Sequence, residues 1–180
     1  MIDIEAVVLT GGASRRMGTD KAKLLVAGET LAARIAGLIA AIGIPATIAG
    51  REAIDDHAFL RDREEFAGPL AALSEFDAMA EFVFVASCDL PGFDARLISH
   101  LADRIGPHEA AVPVSAGRAQ PLCALYRASA FGAARVLAAS GERRVMKWLE
   151  ALDWVSVDDV DPAWIANLNT PEDLRRLRES

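Results

Sequence analysis

Cysteine is nearly absent from this chain. Cys88 and Cys123 are the only two, with no C-x-x-C spacing between them. That argues against both a disulfide framework and a cysteine-ligated zinc site. His57, His100 and His108 lack the H-x-x-x-H spacing that puts two imidazoles on one helix face, so each is expected to be a surface or capping residue. No stretch reaches the ~18 consecutive apolar residues of a membrane span, and the start Met-Ile-Asp-Ile-Glu has no positive segment ahead of an apolar core. The expectation is a cytoplasmic protein without a membrane partner. An extended basic tract is missing too: 26 acidic residues outweigh 19 basic ones, for a net charge of −7. A general nucleic-acid binder needs a broad positive face, and that class is set aside.

What remains is 180 residues, 52% hydrophobic and 25% charged, enough for one domain spanning 1–180 with an ample core. No repeat, linker or low-complexity tract divides it. Strand-like runs fall at Ala6 to Leu9, Ala46 to Ala49, Phe82 to Ser87, Ala110 to Val114, Leu122 to Tyr126 and Val155 to Val157. Between most of them lie helical periodicities: Thr30 to Ile42, Pro69 to Met79, Asp94 to Arg104, Ser129 to Ala139, Arg143 to Leu152 and Pro171 to Arg178. Ser140-Gly141 stops one helix, and Thr170-Pro171-Glu172 starts another with proline at its first position. This alternation predicts a three-layer α/β/α sandwich with a mainly parallel sheet. In such sheets ligands sit at the carboxyl ends of the strands, so the chemistry should lie there.

The first strand runs into Leu9-Thr10-Gly11-Gly12-Ala13-Ser14-Arg15-Arg16-Met17-Gly18-Thr19-Asp20-Lys21-Ala22-Lys23. Gly11, Gly12 and Gly18 let the backbone turn sharply and approach an anion with no Cβ in the way. From Arg15 to Lys23 four basic residues face one acidic residue, against the sign of the whole chain. A polyphosphate cradle fits, but neither familiar glycine motif does. A P-loop needs four residues between its glycines and then Lys-Ser/Thr, whereas five separate Gly12 from Gly18. A dinucleotide fingerprint needs glycine two positions after the first, which neither Gly11 nor Gly12 has.

The apolar run Phe82 to Ala86 ends in Ser87-Cys88-Asp89-Leu90-Pro91. Asp89 is either a turn or cap residue before the proline, or a carboxylate placed to hold magnesium beside the phosphate cradle. Gly68-Pro69-Leu70-Ala71-Ala72-Leu73 reads as a helix start whose amides could face a base or ribose. Asp62 could accept from a guanine's ring N–H and amino group, or belong simply to the charged run Arg61 to Glu65.

In order, the stretches L-T-G-G-A-S-R-R-M-G-T-D-K, G-P-L-A-A-L, S-C-D-L-P, Q-P-L-C-A-L-Y, G-E-R-R-V and N-L-N-T-P-E-D-L resemble the molybdenum cofactor guanylyltransferases over nearly the full chain. The resemblance implies a Rossmann-like nucleotidyltransferase fold and transfer of GMP from GTP to molybdopterin carrying molybdenum, with release of pyrophosphate. It implies Leu9, Thr10, Gly11, Gly12 and Lys21 as nucleotide contacts, Asp89 as the residue binding GTP and Mg2+, and Asp62 near the guanine. Arg15 or Arg16 would join Lys21 in neutralising the triphosphate. Gln120, Arg143, Arg144, Asn167 and Asn169 fall in segments resembling the acceptor side. Implied partners are GTP, molybdenum-molybdopterin, and molybdenum cofactor insertion proteins or apo-molybdoenzymes. Thr10 stands where alanine is common, Ala72 replaces a usual glycine, and Ile48-Ala49-Gly50-Arg51 lacks an asparagine used by some members. Gly11-Gly12 favours guanine over cytosine. Cytidylyl transfer, transfer to a sugar phosphate and a non-catalytic cofactor-delivery role are the alternatives.

Overall fold

The computed structural model describes residues 2–10, 25–26, 28–54, 56–62, 68–168, 172–173 and 175. In chain order these form β1 (Ile4–Leu9), β2 (Leu25–Val26), β3 (Glu29–Thr30), α1 (Leu31–Ala41), β4 (Ala46–Gly50), β5 (Ala58–Arg61), α2 (Pro69–Ser74) and β6 (Phe82–Ser87). There follow α3 (Arg96–Ala102), β7 (Ala110–Ser115), β8 (Arg118–Ala119), β9 (Cys123–Arg127), α4 (Phe131–Ala139), α5 (Val145–Glu150) and β10 (Trp154–Val157). The main sheet runs β10-β7-β9-β6-β1-β4-β5, with β8 hairpinned onto β7 and β2-β3 a separate ribbon. Along this path β9 alone runs against its neighbours, pairing antiparallel with both β6 and β7. All other pairings on the path are parallel.

Alternation along the strands divides the core into two layers. Ala6 and Val8 of β1, with Phe84 and Ala86 of β6, pack against Ile35 and Ile39 of α1 and Leu97, Ile98 and Leu101 of α3. Val7, Leu9, Val83 and Val85 face the other way, onto Leu70 and Leu73 of α2, Phe131 of α4 and Trp148 of α5. With helices on both faces, the central strands must be apolar on both, and five of the six residues of β6 are buried. This is the three-layer α/β/α sandwich that the sequence predicts.

Aromatic packing consolidates the second layer. Tyr126 and Trp148 stack at 4.3 Å between ring centroids, and Phe131 meets Trp148 edge-on at 5.4 Å. Both polar handles are satisfied, Trp148 Nε1 donating to the Ala130 carbonyl (2.9 Å) and the Tyr126 hydroxyl to Pro121 (2.7 Å).

Several boundaries differ from the sequence expectation. The helix beginning at Pro69 stops at Ser74 instead of continuing to Met79. Phe76 leaves helical register to pack on Phe131, and the Glu5 carboxylate accepts from the Met79 and Ala80 amides, so tertiary contacts outweigh local propensity. Helix α3 is shorter than expected, α5 covers only Val145–Glu150, and a 3-10 turn over Ala128–Ala130 precedes α4. Strands β5 and β8 escaped prediction; both are short, and no residue of either is buried. The helix expected over Pro171 to Arg178 lies largely outside the described residues. Among the described residues no helix is long and apolar enough to cross a membrane.

Trp148→Ala should cost about 3–5 kcal/mol of stability, the range for deleting a buried aromatic. Urea denaturation followed by far-UV circular dichroism checks this.

Candidate active site

The parallel register of β1 with β6 runs from Ile4 opposite Phe82 to Leu9 opposite Ser87. Both strands therefore end at one level, and their continuations, Thr10 on one and Cys88-Asp89 on the other, emerge side by side. β4 and β5 end on the same edge: Thr10 N–H donates to Ala49 (2.9 Å), and Asp62 N–H to Gly50 (2.8 Å). Because β9 is reversed, its beginning comes to this edge as well. Ser87 N–H donates to Leu122 (2.7 Å), and the Gln120 carbonyl accepts from Cys123 N–H (3.0 Å). Leu168 N–H donates to the Asp89 carbonyl at 2.8 Å, bringing exposed Asn167 to the same place. Leu9, Thr10, Asp62, Asp89, Gln120 and Asn167 thus gather at the carboxyl edge of the sheet. Gly11, Gly12, Arg15, Arg16, Lys21 and Asn169 lie outside the described residues.

Asp89 is half-buried in a turn. Its carboxylate accepts from the Ser87 hydroxyl at 2.7 Å. The buried Cys123 thiol is pushed up by desolvation first, and then by the Asp89 carboxylate nearby. Among the described residues no three His, Cys, Asp or Glu side chains converge as a metal cluster. A hard, half-exposed carboxylate at a strand end suits a divalent cation that takes its other ligands from phosphate and water.

Asp62 has a raised pKa, because half-burial penalises its charge and Glu75 adds repulsion, with Arg51 opposing. Thr10 is buried, and its hydroxyl donates to the Ala49 carbonyl at 3.0 Å. Position 50 is glycine for reasons of space: a Cβ there would overlap the Thr10 hydroxyl outright. Thr10 and Gly50 therefore fit each other.

Gly68 has φ of +88°, which favours glycine at the start of α2, and it faces the Arg143 carbonyl. Arg143 and Arg144 are exposed and precede α5, so both stand near the start of α2. Glu142 orders them. Its Oε1 accepts from both backbone amides at 2.9 Å, and its two oxygens form a fork with Arg144 at 3.0 and 2.8 Å. The Arg144 hydrogen bond is the largest cause holding the Glu142 carboxyl down at about 2. Arg144 is thus already engaged by an internal carboxylate. Sequence spacing carries no signal for this pair, nor for the Ser87–Asp89 bond, since both depend on how the chain turns.

The sequence profile of the MobA-like NTP transferase domain matches residues 6–155. A probable molybdenum cofactor guanylyltransferase of Mycobacterium marinum is 31% identical over 96% of this chain and 92% of its own length. Another of that name, from Opitutus terrae, is also 31% identical, over 97% of this chain and 95% of its own. Among solved structures, molybdopterin-guanine dinucleotide biosynthesis protein A of Archaeoglobus fulgidus superposes with a TM-score of 0.79 at 24% identity, covering 97% of each chain. That likeness shows the nucleotidyltransferase fold.

Two outcomes are expected at this edge. Gly50→Ala should lose about 1–3 kcal/mol by overpacking, and Thr10→Ala in the same chain should restore most of it, as urea denaturation of the single and double variants will read. For Asp62 the raised folded-state pKa means that the folded protein binds the proton more tightly than the unfolded chain, so the residue costs stability as pH rises through the carboxylate range. Asp62→Asn should therefore be more stable than the parent at neutral pH, with the difference shrinking toward about pH 4 when the melts are repeated there.

Proposed function

Because the chain belongs to the MobA-like NTP transferase family and is a nucleotidyltransferase, we propose that it transfers GMP from GTP to molybdopterin carrying molybdenum, releasing pyrophosphate. The observation that carries this reading is the common level at which β1 and β6 end. It sets the start of the glycine-rich basic loop beside Asp89. The full-length likeness to relatives named for this reaction supports the same substrates.

In this reading Leu9 and Thr10 lead into the loop whose Gly11 and Gly12 amides meet the phosphates, with Lys21 and one of Arg15 or Arg16 offsetting their charge. Asp62 faces the guanine. A half-buried carboxylate with a raised pKa costs the fold stability, and such a cost is characteristic of a group kept for function. Magnesium suits the Asp89 carboxylate, and when bound it would neutralise charge shared by the phosphates.

The chemistry asks little covalent work of the protein. A terminal phosphate oxygen of molybdopterin attacks the α-phosphorus of GTP in line. The new P–O bond forms as the bond to the bridging oxygen of the β-phosphate breaks, and the electron pair leaves with pyrophosphate. The attacking phosphate is already ionised at neutral pH, so no side chain has to remove a proton. The chain's contribution is to hold the two phosphates in line and to stabilise charge on the leaving oxygen. Gln120, Arg143, Asn167 and Asn169 orient the acceptor. Arg144, held by Glu142, acts there chiefly by keeping the turn in shape.

Pyrophosphate release with molybdenum-molybdopterin should be fast with GTP and slow with CTP, and Asp89→Ala should lower kcat/KM about 100-fold or more, by analogy with losing one stabilising group. Comparable turnover of CTP would overturn the choice of base. GTP binding with no acceptor-dependent pyrophosphate would point instead to a delivery protein.

A further inference from the structure

The segment that carries Asp89 is tied down residue by residue. Ser87 N–H donates to Leu122 just before β9 at 2.7 Å, Cys88 N–H donates to Leu9 of β1 at 2.9 Å, and the Asp89 carbonyl accepts from Leu168 at 2.8 Å. Three parts of the chain thus fix the backbone over three consecutive positions. What that clamp leaves undetermined is the rotation of the Asp89 side chain, because backbone bonds do not set χ1 or χ2. The Ser87 hydroxyl acts on that freedom, donating to Oδ1 at 2.7 Å. The bond spans two residues across the end of β6, and both side chains are half-buried. A short hydroxyl-to-carboxylate bond of this kind is charge-assisted, and it restrains the rotation of the carboxylate.

We propose that Ser87 is a positioning residue, which sets the orientation of the Asp89 carboxylate for a divalent cation shared with the nucleotide phosphates. The proposal rests on the reading of Asp89 as a metal ligand. Partners that orient metal ligands typically contribute 10- to 100-fold in metal affinity when tested by mutation. A hydroxyl in this role acts before any chemistry occurs, so its effect belongs to binding as well as to turnover.

The measurement is the ratio of GTP affinity in saturating Mn2+ to GTP affinity in EDTA, obtained by isothermal titration for each protein. A loss of general structure lowers both affinities and leaves their ratio alone, whereas misorientation of a metal ligand lowers the ratio. Ser87→Ala is expected to reduce it about 10-fold or more while leaving binding in EDTA close to the parent value. Ser87→Thr keeps the hydroxyl and should retain the parent ratio. Asp89→Ala should collapse the ratio, and adding Ser87→Ala to it should change nothing further, since the serine acts through the carboxylate. A parent-like ratio in Ser87→Ala alongside a collapsed ratio in Asp89→Ala overturns the role of Ser87 and leaves that of Asp89 standing. A parent-like ratio in Asp89→Ala overturns the metal reading, and the role of Ser87 falls with it.

Discussion

The parallel pairing of β1 with β6 is the constraint from which the rest of this molecule follows. Six residues on each strand are in register, from Ile4 with Phe82 to Leu9 with Ser87. Side chains on both strands alternate between two buried layers, so a slip of one residue would exchange the layers and bury neither set well. The register is therefore held by packing on two faces at once. That precision passes directly to the site. The level at which Thr10 and Asp89 leave the sheet is thereby set by the deepest part of the core.

Much of this was legible beforehand, and for identifiable reasons. The runs Val7 to Leu9 and Phe82 to Ala86 are apolar at every position, which is the mark of a strand covered on both sides. The rule that ligands gather at carboxyl ends then pointed to Thr10 and Asp89 without any knowledge of strand order. The direction of β9 was less accessible, because an apolar run such as Cys123 to Tyr126 is the same whichever way it is laid down. The early end of α2 was hidden too. Nothing between Glu75 and Ala80 forbids a helix, and only the distant Glu5 and Phe131 reveal why the chain leaves it. Ser87 and Glu142 belong to the same class. Their partners are two residues away, and spacing does not tell whether two residues across a turn will meet.

Charge is distributed unevenly for a protein of net −7. The acidic residues that form pairs do so mostly at the surface, where Asp94 meets Arg96, Asp153 meets His108 and Asp159 meets Arg104. Such exposed pairs contribute little to stability. At the carboxyl edge the pattern changes. Asp62 is half-buried with Glu75 adding to its electrostatic burden, while Asp89 is held by a serine hydroxyl.

The reversed strand bears on how the chain is made as well as on how it works. β1, β4, β5 and β6 all precede residue 88, and their mutual pairings can be completed once that much chain exists. The free side of β6 stays open until residues 123–127 arrive to cover it. During that interval Phe82-Val83-Phe84-Val85-Ala86 presents an unpaired apolar edge, the kind of surface on which strands from other molecules add. A chain cut short anywhere between β6 and β9 would keep that edge permanently. The strand that brings Gln120 to the site is thus also the one that makes the nascent protein safe from its neighbours.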